Sequence, residues 1–347
     1  MPTKQIMGNR HQPADGLVRL GPLMSIPDVL TEFGHEPNDI LSEAGLKLKQ
    51  FGDPDCEIPY LAAGKLLARS VAVTGCDHFG LMVGQRVRPS SLGIAGFLLQ
   101  HAQDVDTALS DLVKHIDLHD QGGIAVLETH RDKTRLGYAI YTPGVEASDQ
   151  IYDLTMCIAC NVMRSLCGES WNPSEVVLPR KAPLDLAPFK RFFRAPVRFD
   201  AEQAAMIFPS SWLKHRVGSA DDLLHSHLEK EATRLHRERG GNIVVEVRIL
   251  LRESMLAGQC TARNIAGKLC LHERTLNRRL HEQGTTFRRE YENVRFELAR
   301  QLLLETSMSV AKISAALKYS EASAFNHAFK RWTGETPAGW RARSRTS

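Results

Sequence analysis

Apolar residues recur every three to four positions along the C-terminal third of the chain, which is the spacing of amphipathic helices. The spacing predicts a helix over 242–256, a short second helix that Thr261 caps, and a third helix over 272–282. In the third helix, Leu276 and Leu280 are one turn apart and are expected to face inward. Two short helices joined by a tight turn are typical of a helix-turn-helix unit.

The same plan is repeated closer to the C-terminus. A long helix predicted over 287–302 separates the two units. Ser309 is predicted to cap another short helix, and a final long helix is predicted over 320–333, after which Pro337 begins a last short helix. This part of the chain is therefore predicted to be all-α, with two helix-turn-helix units joined by a long helix.

The first two-thirds of the chain combine helical spacing with short stretches typical of strands. Helices are predicted near 22–33, 38–45, 58–73, 77–87, 91–101, 105–116 and 148–167. Strands are predicted at 124–129, 135–141, 175–178, 196–199 and 205–208. An α+β fold is predicted for this part.

Length and composition are those of a soluble globular protein of two domains. The chain has 347 residues, 43% of them hydrophobic, and no apolar run approaches the roughly 20 residues of a membrane span. The N-terminus lacks the apolar segment of a secretory signal, and seven cysteines scattered over a long chain do not suggest a disulfide framework. We expect a cytoplasmic protein without membrane association.

Charge is distributed unevenly along the chain. Residues 241–347 carry 18 Lys and Arg against 10 Glu and no Asp, whereas residues 1–240 carry a net charge of −4. A polar, helix-prone stretch over 221–239 ends at Gly240-Gly241-Asn242. These shifts predict a domain over 1–215, a linker helix over 216–240 and a basic domain over 241–347, for which nucleic acid is the expected partner.

The outward faces of the predicted reading helices carry side chains suited to DNA. Arginine can bind guanine and asparagine can bind adenine through paired hydrogen bonds, whereas charged side chains at the edges contact phosphates. The alternative is that these are solvated helix faces. The DNA-binding candidates are Arg274, Thr275, Asn277, Arg278, His281, Ser320, Ser323, Ala324 and His327, with Arg288, Arg289, Lys330 and Arg331 expected at phosphates.

Other clusters could suggest a metal site or a catalytic site. Cys157, Cys160 and Cys167 recur at helical spacing and are interpreted as core residues, because a zinc site needs four ligands and a second pair is missing. His115, Asp117 and His119 alternate along the chain, so they could be metal ligands on one face of a strand. The favoured interpretation is that they mark the end of the 105–116 helix. His225 and His227 are expected to be exposed on the linker helix.

No common catalytic motif occurs in the sequence. The sequence therefore predicts no catalytic residue, no metal ligand and no cofactor. An enzyme that carries a DNA-targeting module is the remote alternative.

The C-terminal residues carry a family resemblance over about 243–343. Ser323-Ala324-Phe325, Ala328-Phe329-Lys330-Arg331-Trp332-Thr333-Gly334, Thr336-Pro337 and Trp340-Arg341 resemble the signature of the AraC/XylS family of bacterial transcription regulators. So do Ile265-Ala266, Arg274-Thr275-Leu276, Arg278-Arg279-Leu280, Ala299-Arg300 and Leu303-Leu304. The resemblance implies two helix-turn-helix units that insert into adjacent major grooves of one DNA face.

The chain departs from the family pattern at several positions. Lys318 and Cys270 stand at turns where the family usually has glycine, and His272 stands where a capping serine is usual. Ser314 replaces a common alanine, and His327 replaces a common arginine in the second reading helix. We expect the fold to be kept and the base preference of the second unit to differ.

The N-terminal part resembles the arabinose-binding-like effector domain of one family branch, which includes regulators of ornithine utilisation. The matching pieces are Ser91-Leu92-Gly93, Gly96, Pro183, Ala195-Pro196-Val197, Phe199, Ile207-Phe208-Pro209 and Leu213. The resemblance implies small-molecule sensing and self-association. We therefore expect a homodimeric transcription regulator, either an activator or a repressor, that binds promoter or operator DNA and recruits or blocks RNA polymerase under the control of a small effector. The alternative is control by a protein partner or by abundance.

Overall fold

The computed structural model describes residues 16–140, 142, 144–238, 243–257, 260–269, 271–305, 308–333 and 335–344. The strands are β1 (Leu17–Arg19), β2 (Glu57–Pro59), β3 (Gly123–His130), β4 (Lys133–Ile140), β5 (Glu175–Val177), β6 (Val197–Arg198) and β7 (Ala204–Pro209). The N-terminal helices are α1 (Ile26–Glu32), α2 (Pro37–Glu43), α3 (Tyr60–Thr74), α4 (Phe79–Gln85), α5 (Ile94–His101), α6 (Val105–His115), α7 (Ser148–Cys167) and α8 (Ala187–Phe193). The remaining helices are α9 (Asp222–Glu238), α10 (Ile243–Ala257), α11 (Ala262–Lys268), α12 (Glu273–Glu282), α13 (Phe287–Glu305), α14 (Val310–Ala316), α15 (Ala322–Thr333) and α16 (Pro337–Ser344).

The N-terminal part is built around a five-stranded sheet of order β3-β4-β7-β5-β6. All neighbouring strands are antiparallel except β5 and β6, which are parallel. A separate antiparallel pair joins β1 to β2, with Val18 opposite Ile58. The apolar faces of the sheet and of α7 share one core, in which Phe79, Phe189 and Phe208 are fully buried. The predicted α+β fold is confirmed.

Most of the predicted N-terminal elements are present with shorter bounds. The segments predicted near 22–33 and 91–101 each contain a short 3-10 turn before the α-helix. The strand predicted over 135–141 is β4, and position 141 lies outside the described residues. The sequence analysis missed β1, β2 and α8.

The C-terminal part is helical and has two small cores, as predicted. Helices α10–α12 surround one core with Val247, Ile265 and Leu276 at its centre. Helices α13–α16 enclose the other, which contains Ile313 and Phe325. The long helix α13 contributes Val294 to the first core and Ala299 to the second, so it joins the two units.

The predicted helix caps are confirmed where they are described. The hydroxyl of Thr261 accepts a hydrogen bond of 3.2 Å from the amide of Asn264, and that of Ser309 accepts one of 3.3 Å from Lys312. Gly284 has a φ of 72° after α12, as a left-handed cap requires. The predicted break at Gly240-Gly241-Asn242 lies outside the described residues, as do Gly258, Cys270 and Gly334.

Helix α9, the predicted linker helix, packs along the N-terminal part. Ala232 of α9 is buried against Leu98 of α5 and Leu118, and Leu228 and Leu235 flank this contact. The apolar residues on this face are interleaved with His225, Glu229 and His236, which contact α6 and the turn after it. This helix is therefore held to the N-terminal part by apolar and polar contacts.

Candidate DNA-binding surface and effector cavity

Helix α12 presents one polar face to solvent because its apolar face is buried. Leu276 and Leu280 are fully buried and fix the rotation of the helix. The predicted base-contacting side chains of α12 are on the opposite face: Arg274, Asn277, Arg278 and His281 are exposed and Thr275 is half-buried. Arg278 lies 3.6 Å from Glu282 one turn along, a weak exposed pair that DNA can displace.

Helix α15 repeats this arrangement in the second unit. Phe325 and Phe329 are buried, and Trp332 packs partly against the same core. The predicted side chains Ser323 and His327 are exposed, and Ala324 is half-buried. Ser320, also exposed, precedes the helix rather than beginning it.

The predicted phosphate contacts lie on α13 and α15. Arg288, Arg289, Lys330 and Arg331 are all exposed. Glu292 lies 3.5 Å from Arg288 and 3.9 Å from Arg331, so one carboxylate connects the start of α13 to the end of α15. Arg288 and Arg331 are thereby held near one carboxylate, and all four cations remain accessible.

The departures from the family pattern have structural consequences in the second unit. Lys318 has a φ of 59°, the left-handed conformation that glycine adopts without strain. The Ser314 side chain is buried and donates a hydrogen bond of 3.1 Å to the carbonyl of Glu321, which ties α14 to the start of α15. His272, at the N-cap of α12, makes no side-chain capping bond.

A cavity of about 90 Å³ lies inside the N-terminal domain, between α3, α6, α7 and the sheet. Most of its lining is apolar, including Leu67, Leu112 and Val162. Polar side chains at the cavity are Arg19, Tyr60, His119, Asp120, Tyr138 and Thr155. An apolar space with a few convergent polar groups is the usual form of a small-molecule site.

Asp120 is the centre of the polar part of the cavity. Its carboxylate accepts a hydrogen bond from the Tyr138 hydroxyl, which lies 2.8 Å from the Tyr60 hydroxyl, and it also accepts from the amides of Gly122 and Gly123. Burial raises the pKa of Asp120 to about 6, although the hydrogen bonds oppose this change. Burial and the neighbouring Asp120 raise the pKa of Tyr138 well above its usual value of 10. Asp120, Tyr138 and Tyr60 could not be predicted from the sequence, because they meet only through the fold.

The cysteines of α7 are core residues, as predicted. Cys157 and Cys160 are fully buried, and burial raises the pKa of both thiols, to about 11 for Cys160. The same effect raises the pKa of Cys167 to about 12. Such thiols are poor nucleophiles at neutral pH.

The favoured interpretation of the alternating histidines is confirmed and the strand alternative is wrong, since His115 ends α6 and residues 116–118 form a 3-10 helix. His227 is exposed as predicted, but His225 is not, because it is half-buried with its Nε2 2.6 Å from Oδ2 of Asp111. Burial lowers the pKa of His115, although the nearby Glu229 opposes this change.

A pair of helix-turn-helix units beside an α+β domain with an internal cavity defines a DNA-binding regulator with a sensor domain. Residues 34–217 match the arabinose-binding N-terminal domain of AraC transcription regulators, and residues 265–343 match a helix-turn-helix domain family. The first match covers more than half of the chain. The chain belongs to the AraC family of transcription regulators, and the predicted resemblance is confirmed.

Three similar proteins are regulators. VirS of Mycobacterium tuberculosis is 26% identical over 338 residues, which cover 94% of this chain and 96% of VirS. The ornithine utilization regulator of Pseudomonas aeruginosa is 24% identical over 323 residues, which cover 90% of this chain and 93% of that protein. The crystal structure of CdpR from Pseudomonas aeruginosa aligns with a TM-score of 0.43 at 24% identity, over 88% of this chain and 96% of CdpR.

Within the described residues, none of the helices combines the length and the apolar character that a membrane span requires.

Proposed function

We propose that this transcription regulator reads DNA with α12 and α15 and is controlled by a small effector in the sensor-domain cavity. The proposal on DNA is supported by two solvent-facing helix faces that carry Arg, Asn, His and Ser over buried apolar residues. Arg274, Asn277, Arg278 and His327 are assigned to base edges, and the cations of α13 and of the end of α15 to phosphates. The sensor domain is assigned to 1–215, the linker to 216–240 and the DNA-binding domain to 241–347.

The cavity supports control by an effector. A regulator without a small ligand would be expected to have a densely filled sensor core, whereas this core contains a space of about 90 Å³. Its mainly apolar lining and convergent polar groups fit a small, mainly apolar compound with one hydrogen-bonding end, or a larger one that expands the cavity. The polar end would face Tyr60, Asp120 and Tyr138.

Helix α6 connects the cavity to the linker. Leu112 of α6 and Ile116 just beyond its end line the cavity, whereas Asp111 and His115 contact α9. An effector that shifts α6 therefore changes the support of α9, which leads directly to the DNA-binding domain. In a homodimer this would alter the spacing of the two DNA-binding domains and their recruitment of RNA polymerase, by a shift between two arrangements.

The DNA assignment is tested with the full chain and an operator selected from a pool of random duplexes. Arg278→Ala is expected to weaken binding to the selected operator by about 1–3 kcal/mol while weak binding to unrelated DNA persists. Arg191→Ala, which removes an exposed cation from α8 of the sensor domain, is the matched control. Equal loss on all duplexes, or affinity that stays unchanged from about 50 to 200 mM salt, would contradict the assignment.

The effector assignment is tested by thermal unfolding of the full chain against amino acids, polyamines, fatty acids, acyl-homoserine lactones, sugars and cyclic dinucleotides. A ligand at about 100 times its Kd stabilises the folded state by about 2.7 kcal/mol. Ala63→Leu fills the cavity and should abolish the stabilisation, whereas Ala72→Leu on the exposed face of the same helix should not. Stabilisation that survives Ala63→Leu places the ligand elsewhere, and no hit favours control by a protein partner or by abundance.

A further inference from the structure

A cluster of histidines and carboxylates lies where α9 packs on α6. Each helix contributes two residues spaced four apart, which places them on one face of that helix. Asp111 and His115 come from α6, and His225 and Glu229 come from α9; we name these four the α6–α9 ligand set. The sequence analysis expected no metal ligand, because the four residues form two pairs separated by more than a hundred positions.

Three members of the ligand set, Asp111, His115 and Glu229, converge on one point, and His225 joins them through Asp111. Nε2 of His225 lies 2.6 Å from Oδ2 of Asp111, and Nε2 of His115 lies 2.8 Å from Oε2 of Glu229. The ligand atoms of Asp111, His115 and Glu229 all lie within 4.8 Å of one another. Ligands that are each about 2.0–2.2 Å from a tetrahedral zinc ion are roughly 3.3 Å apart, so each close pair needs to separate by about half an ångström.

The surroundings favour a cation at this point. The two carboxylates of the ligand set, those of Asp111 and Glu229, meet the ammonium of Lys114, so the set keeps an excess of negative charge when its imidazoles are neutral. Lys114 donates to Oε1 of Glu229 and leaves Oε2 directed at His115. A divalent ion would balance the remaining charge.

The hydrogen bonds beyond the ligand set also fit a bound metal. Nδ1 of His115 lies 2.9 Å from Nε2 of His236, whose Nδ1 lies 3.3 Å from Oδ2 of Asp117. If a metal takes Nε2 of His115, then Nδ1–H of His115 donates to His236 and Nδ1–H of His236 donates to Asp117. Both rings are then neutral and each contact contains one proton, as in the histidine–carboxylate pairs that support metal ligands. Without a metal, Nε2–H of His115 donates to Glu229. The three contacts from Glu229 through His115 and His236 to Asp117 then need three protons, so one of the two imidazole rings has to be charged.

One side of the cluster is buried at His115, and the other side is accessible to solvent at Glu229. The His115 side chain is only 1% exposed, whereas that of Glu229 is 30% exposed. A cleft of about 720 Å³ adjoins them, lined on the sensor side by Lys114, His115, Thr233 and His236. An ion can therefore enter from solvent and still have one well-fixed ligand.

We propose that the α6–α9 ligand set is a binding site for a divalent transition-metal ion, for which zinc is the preferred occupant. Two imidazoles and two carboxylates are a ligand set that zinc accepts in tetrahedral geometry. Asp111, His115 and Glu229 supply three ligands, and His225 completes the set when its ring turns from Asp111 to the ion, which then joins the linker helix to the sensor domain. Metal binding here does not depend on whether the cavity takes an effector.

The test uses the untagged full chain, freed of metal with EDTA and titrated with Co²⁺ under visible absorption, then with Zn²⁺ in competition. The expected result is one equivalent of Co²⁺ with the spectrum of a four-coordinate nitrogen and oxygen site, displaced by Zn²⁺. His225→Gln and Glu229→Gln should each weaken binding by more than the roughly 10–100-fold that follows loss of a supporting group outside the ligand set. Zn²⁺ should also raise the unfolding temperature of the wild-type chain and of neither variant.

His227→Gln is the matched control, because His227 is exposed on the same helix and its Nδ1 contacts the carbonyl of Leu223. This variant should bind Co²⁺ like the wild-type chain. If His225→Gln does not fold, Glu229→Gln, which changes a more exposed residue, decides the question alone. The proposal is overturned if no Co²⁺ binds, if the spectrum shows a thiolate band from the cysteines, or if the ligand variants bind as tightly as His227→Gln.

Discussion

The hydroxyl of Tyr138 donates a hydrogen bond to the buried carboxylate of Asp120 in the wall of the sensor-domain cavity. Tyr138 comes from strand β4 of the sheet, and Asp120 from the loop that follows α6 and its 3-10 turn. The pair therefore connects the sheet to the part of the chain that also supports α9. Its properties can be measured without knowledge of the effector.

The first prediction concerns pH. Burial raises the pKa of Asp120 from 3.8 to about 6, so between these values the folded state binds more protons than the unfolded state. The stability that this group contributes is fully present below the unfolded pKa and is lost as pH rises through the folded pKa. Asp120→Asn should remove this dependence, so the free energy of unfolding of the variant relative to wild type rises by about 2–3 kcal/mol from pH 4 to 7.

Urea unfolding at several pH values measures this difference. Asp132→Asn, at an exposed turn between β3 and β4, is the control and should show no such trend. A difference between Asp120→Asn and wild type that does not change with pH would show that Asp120 titrates alike in the folded and unfolded states.

A second prediction concerns the glycine beside this pair. A Cβ added at Gly122 would lie 2.0 Å from Cδ2 of Tyr60, whose ring is buried. Gly122→Ala must therefore displace that ring, at a cost of about 1–3 kcal/mol in the free energy of unfolding. Gly218→Ala is the control, because its Cβ would meet no atom within 4 Å, and it should stay within about 0.5 kcal/mol of wild type.

A third prediction follows from the left-handed turn at Lys318. A non-glycine residue with a φ of 59° is strained by about 1 kcal/mol. Glycine removes this strain, but its greater freedom in the unfolded state cancels part of the gain. Lys318→Gly should therefore stabilise the second helix-turn-helix unit by about 0.5–1 kcal/mol, measured as slower amide exchange in α14 and α15. Ala311→Gly, at an exposed position inside α14, should have the opposite effect by a similar amount.

The fourth prediction concerns the start of α12. His272 has the extended backbone of an N-cap but supplies no side-chain capping bond, so a serine there can accept from the amide of Thr275. His272→Ser should raise stability by about 0.5–1 kcal/mol and slow amide exchange in the first turn of α12. Asn277→Ser, at an exposed site inside the same helix, is the control, and an equal gain there would contradict the capping explanation.

Several features of this protein could be predicted from short-range sequence patterns. The bounds of α10 to α16 follow from apolar spacing together with the caps at Thr261 and Ser309, since a helix and its cap depend on residues only three or four positions apart. For the same reason the exposure of Arg278 followed from the burial of Leu276 and Leu280. The missed strands β1 and β2 have only three residues each and are stabilised by pairing across about forty positions, which no local pattern records.

The contacts between distant segments could not be predicted from local patterns. His225 seemed an exposed residue of a polar helix until α9 packed on α6 and brought it to Asp111, 114 positions earlier in the chain. The cavity and the approach of Tyr60 to Tyr138 arise in the same way, from packing between elements. Local sequence patterns were enough to predict the helices, their caps and the face that each helix presents, because those depend on neighbouring residues. The fold determined which polar groups meet, because that depends on how apolar faces far apart in the chain pack together.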